Sequence, residues 1–444
     1  MKENMILEGN ISNIFIKFCV PAVISMTITG IQTIIDGMFV GKILGPNAMA
    51  SVNIAIPFMQ LILGISMIVS VGAQSYIGIN LGENKESDAK NAFKTSTIIL
   101  ILVGVVITLI GILFNKEIAI ALGANEILLK NSQLYIKTIS IFTIPMTLMF
   151  LFGFSNRIIG RPDLYFKGML LSLIMNIALN YILVAKLNLG MIGTAIATGL
   201  SYSSAFLIVI WPILDKENII NIFEGRFDKY CILAILYNGS SEGIHSISTA
   251  VCAYLFNMAF MKIGGEAGVA AFTSINYIAQ FGIFVMLGIS DGIAPIVSYN
   301  YGSKNYLRVN HILKLAYKMA LVIGAIIFLM LFLCADKLVM LFIQDNKDII
   351  NFAVNGAKIY AFAFIFNGFN IVSSGYFTAI GDATSSVIVA STRGLIFVFI
   401  GINLLPLLFG VSGVWMSIPF ADICTLFIVF YLLSKVDYKV VSSS

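Results

Sequence analysis

Long apolar runs separated by short polar segments make up most of the chain. Twelve such runs occur, each close to the roughly twenty residues that a helix needs to cross a bilayer. Backbone amides in lipid must be hydrogen-bonded within their own segment, so runs of this length predict helices. The predicted helices lie near 14–40, 50–79, 93–114, 132–158, 163–186, 191–213, 230–260, 268–300, 311–335, 356–380, 385–409 and 412–434. The pattern predicts an all-α polytopic membrane protein with twelve transmembrane helices.

The second half of the chain repeats the landmarks of the first. Gly45 corresponds to Gly264, an offset of 219 residues, and Gly82 corresponds to Gly302, an offset of 220. Later pairs keep nearly the same spacing: Gly160 with Gly381, Gly190 with Gly410 and Gly193 with Gly413. Each half holds six predicted helices, so both halves start on the same side of the membrane. We therefore expect two pseudo-symmetric six-helix lobes, an arrangement that transporters use with the substrate site between them.

A charged segment separates the two helix sets. Residues 215–229 read DKENIINIFEGRFDK, which is rich in charge and lacks a long apolar run, so we expect a solvated cytoplasmic linker. The lobes are then 1–214 and 230–444. If the N-terminus is cytoplasmic, 18 of the 27 Lys and Arg residues, Arg157 and Arg393 among them, fall on that side. The positive-inside rule thus predicts both termini in the cytoplasm of a plasma membrane, and we expect a bacterial protein.

Composition excludes a soluble protein. Hydrophobic residues make up 59% of the chain and charged residues only 11%, against about a quarter in soluble domains. The net charge of +5 is accounted for by the loops, so no nucleic-acid partner is expected. The first apolar run has no cleavage site after it and is counted as a true span. The expected environment is membrane lipid, and the expected state is a monomer.

Four acidic residues lie inside apolar runs: Asp36, Glu242, Asp291 and Asp422. A carboxylate at the bilayer centre costs about 2.5–3.5 kcal/mol on insertion scales, so one found there generally faces a cavity or binds a cation. None of the four has an acid at the corresponding position of the other half. The duplication has therefore diverged at its charged positions.

Asp36 is the strongest of these candidates. It lies in IQTIIDGMFVG, with deep apolar flanks, near the end of the first predicted helix. Asn176 and Asn180 are four residues apart in LIMNIALNYIL, so their amides share one face of the fifth helix. Such a pair can also serve only to hold two helices together. With Asp36, the two amides could line one polar pocket.

Several motifs resemble the multidrug and toxic compound extrusion transporters. They are LEGNISNIFIKFCVPAVI, IIDGMFVGK, NIALNYIL and GMIGTAIATGLS in the first half, and SYNYGSKN and AIGDATSS in the second. The resemblance covers nearly the whole chain. It implies twelve helices in two lobes and export of cationic, amphipathic organic compounds in exchange for protons or sodium ions, with no cofactor.

Carried over residue by residue, the resemblance implies an N-lobe cation or proton site of Asp36, Asn176, Asn180 and Thr198. Many relatives have a second acid at the position of Asn180, which leaves Asp36 as the only carboxylate here. In the C-lobe, Glu242 matches an acidic position of the sodium-coupled branch, whereas Asn367 stands where that branch often has an acid. The resemblance leaves both coupling ions open, with sodium possible at Asp36 or Glu242 and no other metal site expected.

The remaining polar residues form a set of C-lobe candidates. Glu242 and His245 are less than one turn apart in NGSSEGIHSIS and could relay a proton, or could merely bond to neighbouring groups. Asp291, in GISDGIAP, is followed by Gly292 and Pro295, which suggests a broken helix with its acid in the cleft. Asp422 in FADIC is a further intramembrane acid.

The sequence favours an ion-coupled antiporter that exports organic cations. The closest alternative is a flippase for lipid-linked oligosaccharides, whose cavity should carry Arg or Lys to hold a pyrophosphate. The intramembrane charges appear acidic in sequence, which disfavours a flippase. An enzyme is not expected, because the chain has only two histidines and neither H-E-x-x-H nor G-x-S-x-G. A channel is disfavoured because its charged rings would repeat by symmetry.

Overall fold

All regular elements of the described chain are helical. The computed structural model describes residues 3–340 and 347–441. The α-helices are α1 (Glu3–Glu8), α2 (Ile11–Phe39), α3 (Pro46–Gly82), α4 (Glu86–Leu113), α5 (Asn115–Ala121), α6 (Glu126–Ser140), α7 (Thr143–Ile158), α8 (Pro162–Leu179), α9 (Gly190–Ile210), α10 (Lys229–Gly302), α11 (Tyr306–Leu333), α12 (Ala335–Met340), α13 (Lys347–Ala361), α14 (Ala363–Ala379), α15 (Ala383–Ser391), α16 (Phe397–Phe409) and α17 (Val411–Val441). Three π-helical segments (Val40–Leu44, Asn180–Lys186 and Thr392–Ile396) and one 3-10 turn (Trp211–Leu214) extend them.

Twelve membrane crossings are present in the described ranges. Ten are single helices of sufficient length and hydropathy, and two are pairs bent by 51° and 47°. Helix α10 contains two of the crossings, α10a (Lys229–Lys262) and α10b (Ala271–Gly302), which meet at a non-helical residue, Gly265. The all-α prediction of twelve transmembrane helices in two six-helix lobes is confirmed.

Two of the predicted helices are bent. The run near 132–158 is α6 and α7, and the run near 356–380 is α13 and α14. The first bend has a covalent cause: Pro145 lies in the first turn of α7, lacks an N–H and excludes the carbonyl four residues before it. The second bend, at Phe362, comes 220 residues after Phe142 without a proline. The bend therefore belongs to the duplicated architecture, and proline reinforces it in one copy only.

The duplication is visible in the backbone angles. Gly160 and Gly381 have φ values of 81° and 80°, and Gly190 and Gly410 both have 56°. Glycine suits these turns because side chains rarely tolerate this left-handed region. Even a non-glycine pair matches, since Asn84 has φ 60° and Lys304 has φ 61°. The two lobes thus share turn geometry at corresponding residues, as the sequence repeat predicts.

The lobes meet most closely on the face that carries the chain termini, here called the terminal face. A Cβ added to Gly72 or Gly82 of α3 would overlap a backbone carbonyl of α10, and one added to Gly239 of α10a would overlap Ile68 of α3. Further from this face the contact relaxes, and a Cβ on Gly64 would lie 3.6 Å from the Ser246 hydroxyl oxygen. Small residues allow such backbone approach between membrane helices. The lobes are therefore closed on the terminal face.

The segment between the lobes is packed against α4. The backbone N–H groups of Arg226 and Asp228 donate to Asn91 Oδ1 (2.7 Å) and Thr95 Oγ1 (2.9 Å). Glu224 pairs with Lys90 at 2.8 Å, and the hydrogen bond from this lysine keeps the pKa of the Glu224 carboxyl below its ordinary value. The segment is charged, as predicted, and it is also held against the N-lobe by these hydrogen bonds and this ion pair.

Candidate functional site

The N-lobe polar residues predicted from sequence lie together. Asp36, in the last turn of α2, accepts hydrogen bonds on Oδ1 from Nδ2 of Asn176 (2.8 Å) and from Nδ2 of Asn180 (2.9 Å). Both asparagines are fully buried. The Thr198 hydroxyl on α9 also interacts with the carboxylate. The four side chains form one pocket from three helices, here called the Asp36 pocket.

Local helix distortions position this pocket. A π-helical segment starts four residues after Asp36, and the Val40 N–H bonds to the carbonyls of both Asp36 and Gly37. A second π-helical segment begins at Asn180 itself. A π turn inserts an extra residue and shifts the faces on either side of it, and such turns frequently occur at functional sites. No residue pattern in the sequence predicts these segments.

One buried oxygen of the pocket is unpartnered. Asn180 Nδ2 donates to Asp36 and also lies 3.3 Å from Asn176 Oδ1, whereas Asn180 Oδ1 has no hydrogen-bond partner. A buried acceptor without a donor costs about 1–3 kcal/mol. An unpartnered acceptor beside a carboxylate favours a positively charged or proton-bearing partner.

The C-lobe acid Asp422 has a very different environment. Its Oδ1 accepts from Nε of Arg393 at 2.9 Å and from Nδ2 of Asn370 at 3.1 Å. Asn370 also donates to the backbone carbonyl of Asp422 at 2.8 Å. The Asp422 side chain is only 2% exposed. This acid is held in a hydrogen-bonded ion pair inside the membrane.

Arg393 corrects two expectations from the sequence. It lies 10 residues beyond Ala383, the first residue of a crossing that ends at Phe409, so it is not a loop residue on the cytoplasmic side. Its position inside the membrane also removes the argument that the intramembrane charges are all acidic. The predicted helix over 385–409 already contains Arg393, so it is the assignment of this arginine to the cytoplasmic side that is wrong.

Asp291 joins the two lobes. Its Oδ2 lies 3.7 Å from Nη1 of Arg157, the residue before the end of α7, and this arginine is 1% exposed. The arginine also lies over the rings of Phe154 (4.9 Å) and Tyr165 (4.4 Å). A second residue counted among the cytoplasmic charges is thus buried in an interlobe ion pair.

The broken helix predicted at Asp291 is wrong. Helix α10b continues through Gly292 and Pro295, and the one non-helical residue of α10 is Gly265. Pro295 has no N–H to bond the carbonyl of Asp291, four residues earlier. That carbonyl instead accepts from Nη1 of Arg157 at 3.3 Å. The arginine therefore replaces the hydrogen bond that proline removes, and the helix remains intact.

Glu242 and His245 line a cavity between α10a, α14 and α15. Its empty volume is about 410 Å³, and Ser290, Asn370 and Arg393 also border it. No hydrogen bond joins the side chains of Glu242 and His245 among the described contacts. The backbone carbonyl of Glu242 accepts from the Ser246 hydroxyl, and that of His245 accepts from the Thr249 hydroxyl. His245 and Arg393 also line a second, larger cavity.

Asn367 is not the asparagine that binds Asp422 in the C-lobe. Asn370, one turn further along α14, makes that contact with Asp422. Asn367 is 2% exposed, and its Oδ1 has no hydrogen-bond partner. Within the described residues, the predicted C-lobe candidates are thus distributed over an interlobe pair, an intralobe pair and a cavity wall.

The four intramembrane acids fall into two classes. Asp291 and Asp422 have arginine partners within 4 Å. Within residues 3–340 and 347–441, Asp36 and Glu242 have no Lys, Arg or His nitrogen at that distance. The unpaired acids are therefore the groups available to a proton, a cation or a cationic ligand.

Comparisons with known proteins agree with this architecture. The MatE family model matches residues 21–182 and 243–405, one match in each half. The multidrug export proteins MepA of Staphylococcus saprophyticus and Staphylococcus aureus are each 25% identical over 441 residues, covering 98% of this chain and 97% of theirs.

Solved structures show the same fold. A multidrug resistance transporter of the MATE family in an outward-facing conformation matches with a TM-score of 0.92 and 22% identity, covering 99% of both chains. A MOP superfamily transporter from Pyrococcus furiosus matches with a TM-score of 0.90 and 22% identity, covering 97% of both. With both halves matched by the family model, this chain belongs to the MatE family, the multidrug and toxic compound extrusion transporters.

Proposed function

We propose that this protein is a multidrug exporter that moves cationic, amphipathic organic compounds out of the cytoplasm in exchange for protons. The observation that carries the proposal is the Asp36 pocket. Its carboxylate lies in a membrane-spanning helix, has no cationic partner in the described chain, and is held by two amide donors. The MepA relatives, which are named multidrug export proteins, support multidrug export.

A proton fits the pocket better than a sodium ion. Sodium prefers several oxygen ligands and gains from added negative charge. Here Asn176 and Asn180 present Nδ2 groups to Asp36, and Asp36 is the only carboxylate of the pocket. A protonated Asp36 would instead become a donor, and the unpartnered Oδ1 of Asn180 offers an acceptor in the same pocket. Glu242 provides a second unpaired acid, in the C-lobe.

Exchange follows if the proton and the substrate favour different lobe arrangements. A ligand shifts a two-state equilibrium only by its difference in affinity for the two states. Protonation of Asp36 changes which groups donate and accept where α2, α8 and α9 meet, and so can bias lobe closure. The flippase alternative is not favoured, because the relatives that match this chain over 98% of its length are named multidrug export proteins.

Transport in vesicles tests the coupling ion. Purified protein in sodium-free proteoliposomes should export ethidium when a pH gradient, acid outside, is the only driving force, and an uncoupler should abolish that export. Transport that requires a sodium gradient and ignores the pH gradient would rule out proton coupling and would direct attention to Glu242 and Asn367 as a sodium site.

We further propose that the terminal face is cytoplasmic in a bacterial plasma membrane. In a variant without native cysteines, Glu217→Cys in the exposed segment between the lobes should be labelled only from the cytoplasm. Leu187→Cys, 59% exposed in the turn between α8 and α9 on the opposite face, is the matched control and should be labelled from outside. The reverse pattern would invert the orientation and hence the direction of export.

A further inference from the structure

The larger C-lobe cavity is separate from the Asp36 pocket. Its empty volume is about 680 Å³, and its walls come from α10a, α10b, α13, α16 and α17. The side chains that matter here are Phe256, Phe272, Tyr360, His245 and Arg393.

Arg393 brings unused hydrogen-bond donors to this cavity. A guanidinium carries five N–H donors in a planar fork. Only Nε of Arg393 has a protein partner in the described chain, namely Asp422 Oδ1 at 2.9 Å. The side chain is 15% exposed and borders both C-lobe cavities. The Nη1 and Nη2 groups are therefore free to bind a ligand, while Asp422 holds the plane of the guanidinium fixed.

Aromatic side chains also line this cavity. Phe256 and Phe272 stack with their ring centroids 5.0 Å apart and their planes inclined by only 15°. Phe272 in turn lies 6.2 Å from the ring of Trp415. Aromatic surfaces of this kind favour planar aromatic ligands, in stacked or edge-on contact.

We propose that this cavity binds planar aromatic carboxylates. The ligand carboxylate accepts two hydrogen bonds from Nη1 and Nη2 of Arg393, the bidentate geometry typical of arginine and carboxylates. The ring packs along Phe256 and Phe272. Asp422 uses a different edge of the guanidinium, so arginine bridges the two carboxylates. A cation site at Asp36 and an anion-binding arginine would thus serve different substrates of one exporter.

This inference concerns binding and does not depend on the coupling ion or on the direction of transport. The test uses Trp415 as a reporter: Trp211→Phe removes the other tryptophan, which is 77% exposed and remote from the cavity. Anthracene-9-carboxylate, an energy acceptor for tryptophan, is titrated into the purified variant in detergent. Anthracene-9-carboxamide has the same shape without the charge, and empty micelles give the partitioning background.

The carboxylate should bind about tenfold or more tightly than the carboxamide, because hydrogen bonds to a charged group are the stronger kind. Adding both Arg393→Gln and Asp422→Asn to the Trp211→Phe variant keeps the local net charge. This double substitution should abolish the preference for the carboxylate without weakening carboxamide binding. The exposed pair Lys167→Gln and Asp163→Asn is the matched control and should preserve it.

Two results would overturn the proposal. Equal affinity for the carboxylate and the carboxamide in the parent variant would show that Arg393 does not bind the ligand. A preference that survives in the Arg393 and Asp422 double variant would place the carboxylate elsewhere. Size-exclusion elution and the Trp415 emission maximum show whether each variant is folded, so misfolding cannot imitate either result.

Discussion

Asp36 of the N-lobe and Asp422 of the C-lobe are held in opposite ways. In the N-lobe, Asp36 is bound by the neutral amides of Asn176 and Asn180. In the C-lobe, Asp422 is bound by Arg393 and Asn370. Amide partners leave the charge of the carboxylate uncompensated, whereas an arginine partner neutralises it. The duplicated framework therefore holds Asp36 without a cationic partner and Asp422 in an ion pair, a difference that the proposed exchange at Asp36 requires.

The largest expected effect comes from breaking the fixed pair. Asp422→Asn leaves Arg393 buried without its counter-ion, and we expect the free energy of unfolding to fall by about 3–5 kcal/mol. The double variant Arg393→Gln with Asp422→Asn should recover most of that loss, because no unpaired charge remains. Thermal unfolding of the purified proteins in detergent measures both. Equal losses in the single and double variants would show that the pair has no special role.

Neutralising the exchangeable acid should affect transport rather than stability. We expect Asp36→Asn to lower coupled ethidium efflux at least about tenfold, within the usual range of coupling energies, while thermal stability changes little. Asp163→Asn, the same charge change on an exposed residue, is the control. Near-normal efflux and drug resistance with Asp36→Asn would remove the Asp36 pocket from the mechanism.

The interlobe pair provides an intermediate case. Asp291→Asn weakens the contact with Arg157 and should favour opening of the terminal face. Cys19 is fully buried against Gly292 there, so it reports this opening. With the other four cysteines replaced, we expect its labelling by a maleimide to accelerate about fivefold. Asp163→Asn should leave the rate unchanged, and an unchanged rate in Asp291→Asn would mean that the pair does not hold the lobes together.

The smallest expected effect is a shift in ion preference. Asn180→Asp adds a second carboxylate to the Asp36 pocket, and sodium gains from added negative charge. A sodium gradient should then increase ethidium export by the variant about two- to threefold, whereas export by the parent protein should not respond to sodium. The effect is modest because the other ligands of the pocket are unchanged. Sodium-dependent fluxes in paired vesicle preparations measure it. No sodium response would indicate that the pocket binds protons whatever its charge.

The sequence predicts those features that depend on local pattern. Apolar runs predict the crossings, and the four-residue spacing of Asn176 and Asn180 predicts their common face. Asp36 joins them because the ends of α2 and α8 lie on the same side of the membrane, which the crossing count already implies. The repeated glycines likewise predict the matched turns, with φ of 81° at Gly160 and 80° at Gly381.

Features that depend on tertiary context were missed or misread. Counting charges does not reveal their partners, so Arg157 and Arg393 were assigned to the cytoplasmic side although each lies beside an acid, with side chains only 1% and 15% exposed. Gly292 and Pro295 resembled a helix break, but the partner that repairs it, Arg157, is distant in sequence. The π-helical segments and the bend at Phe362 are equally invisible, because no known residue pattern marks the segments and no proline lies at Phe362, whereas Pro145 marks the bend at Phe142.

The glycine contacts on the terminal face have an entropic consequence. Where Gly72 and Gly82 meet backbone carbonyls of α10, no side chain on the glycine side has to be ordered. Glycine has no side-chain rotamers to lose, whereas long side chains lose up to about 1.5–2 kcal/mol each when fixed. Closing this face therefore costs little conformational freedom, and opening it regains little. Such a contact can form and separate in every transport cycle without trapping the protein in either state.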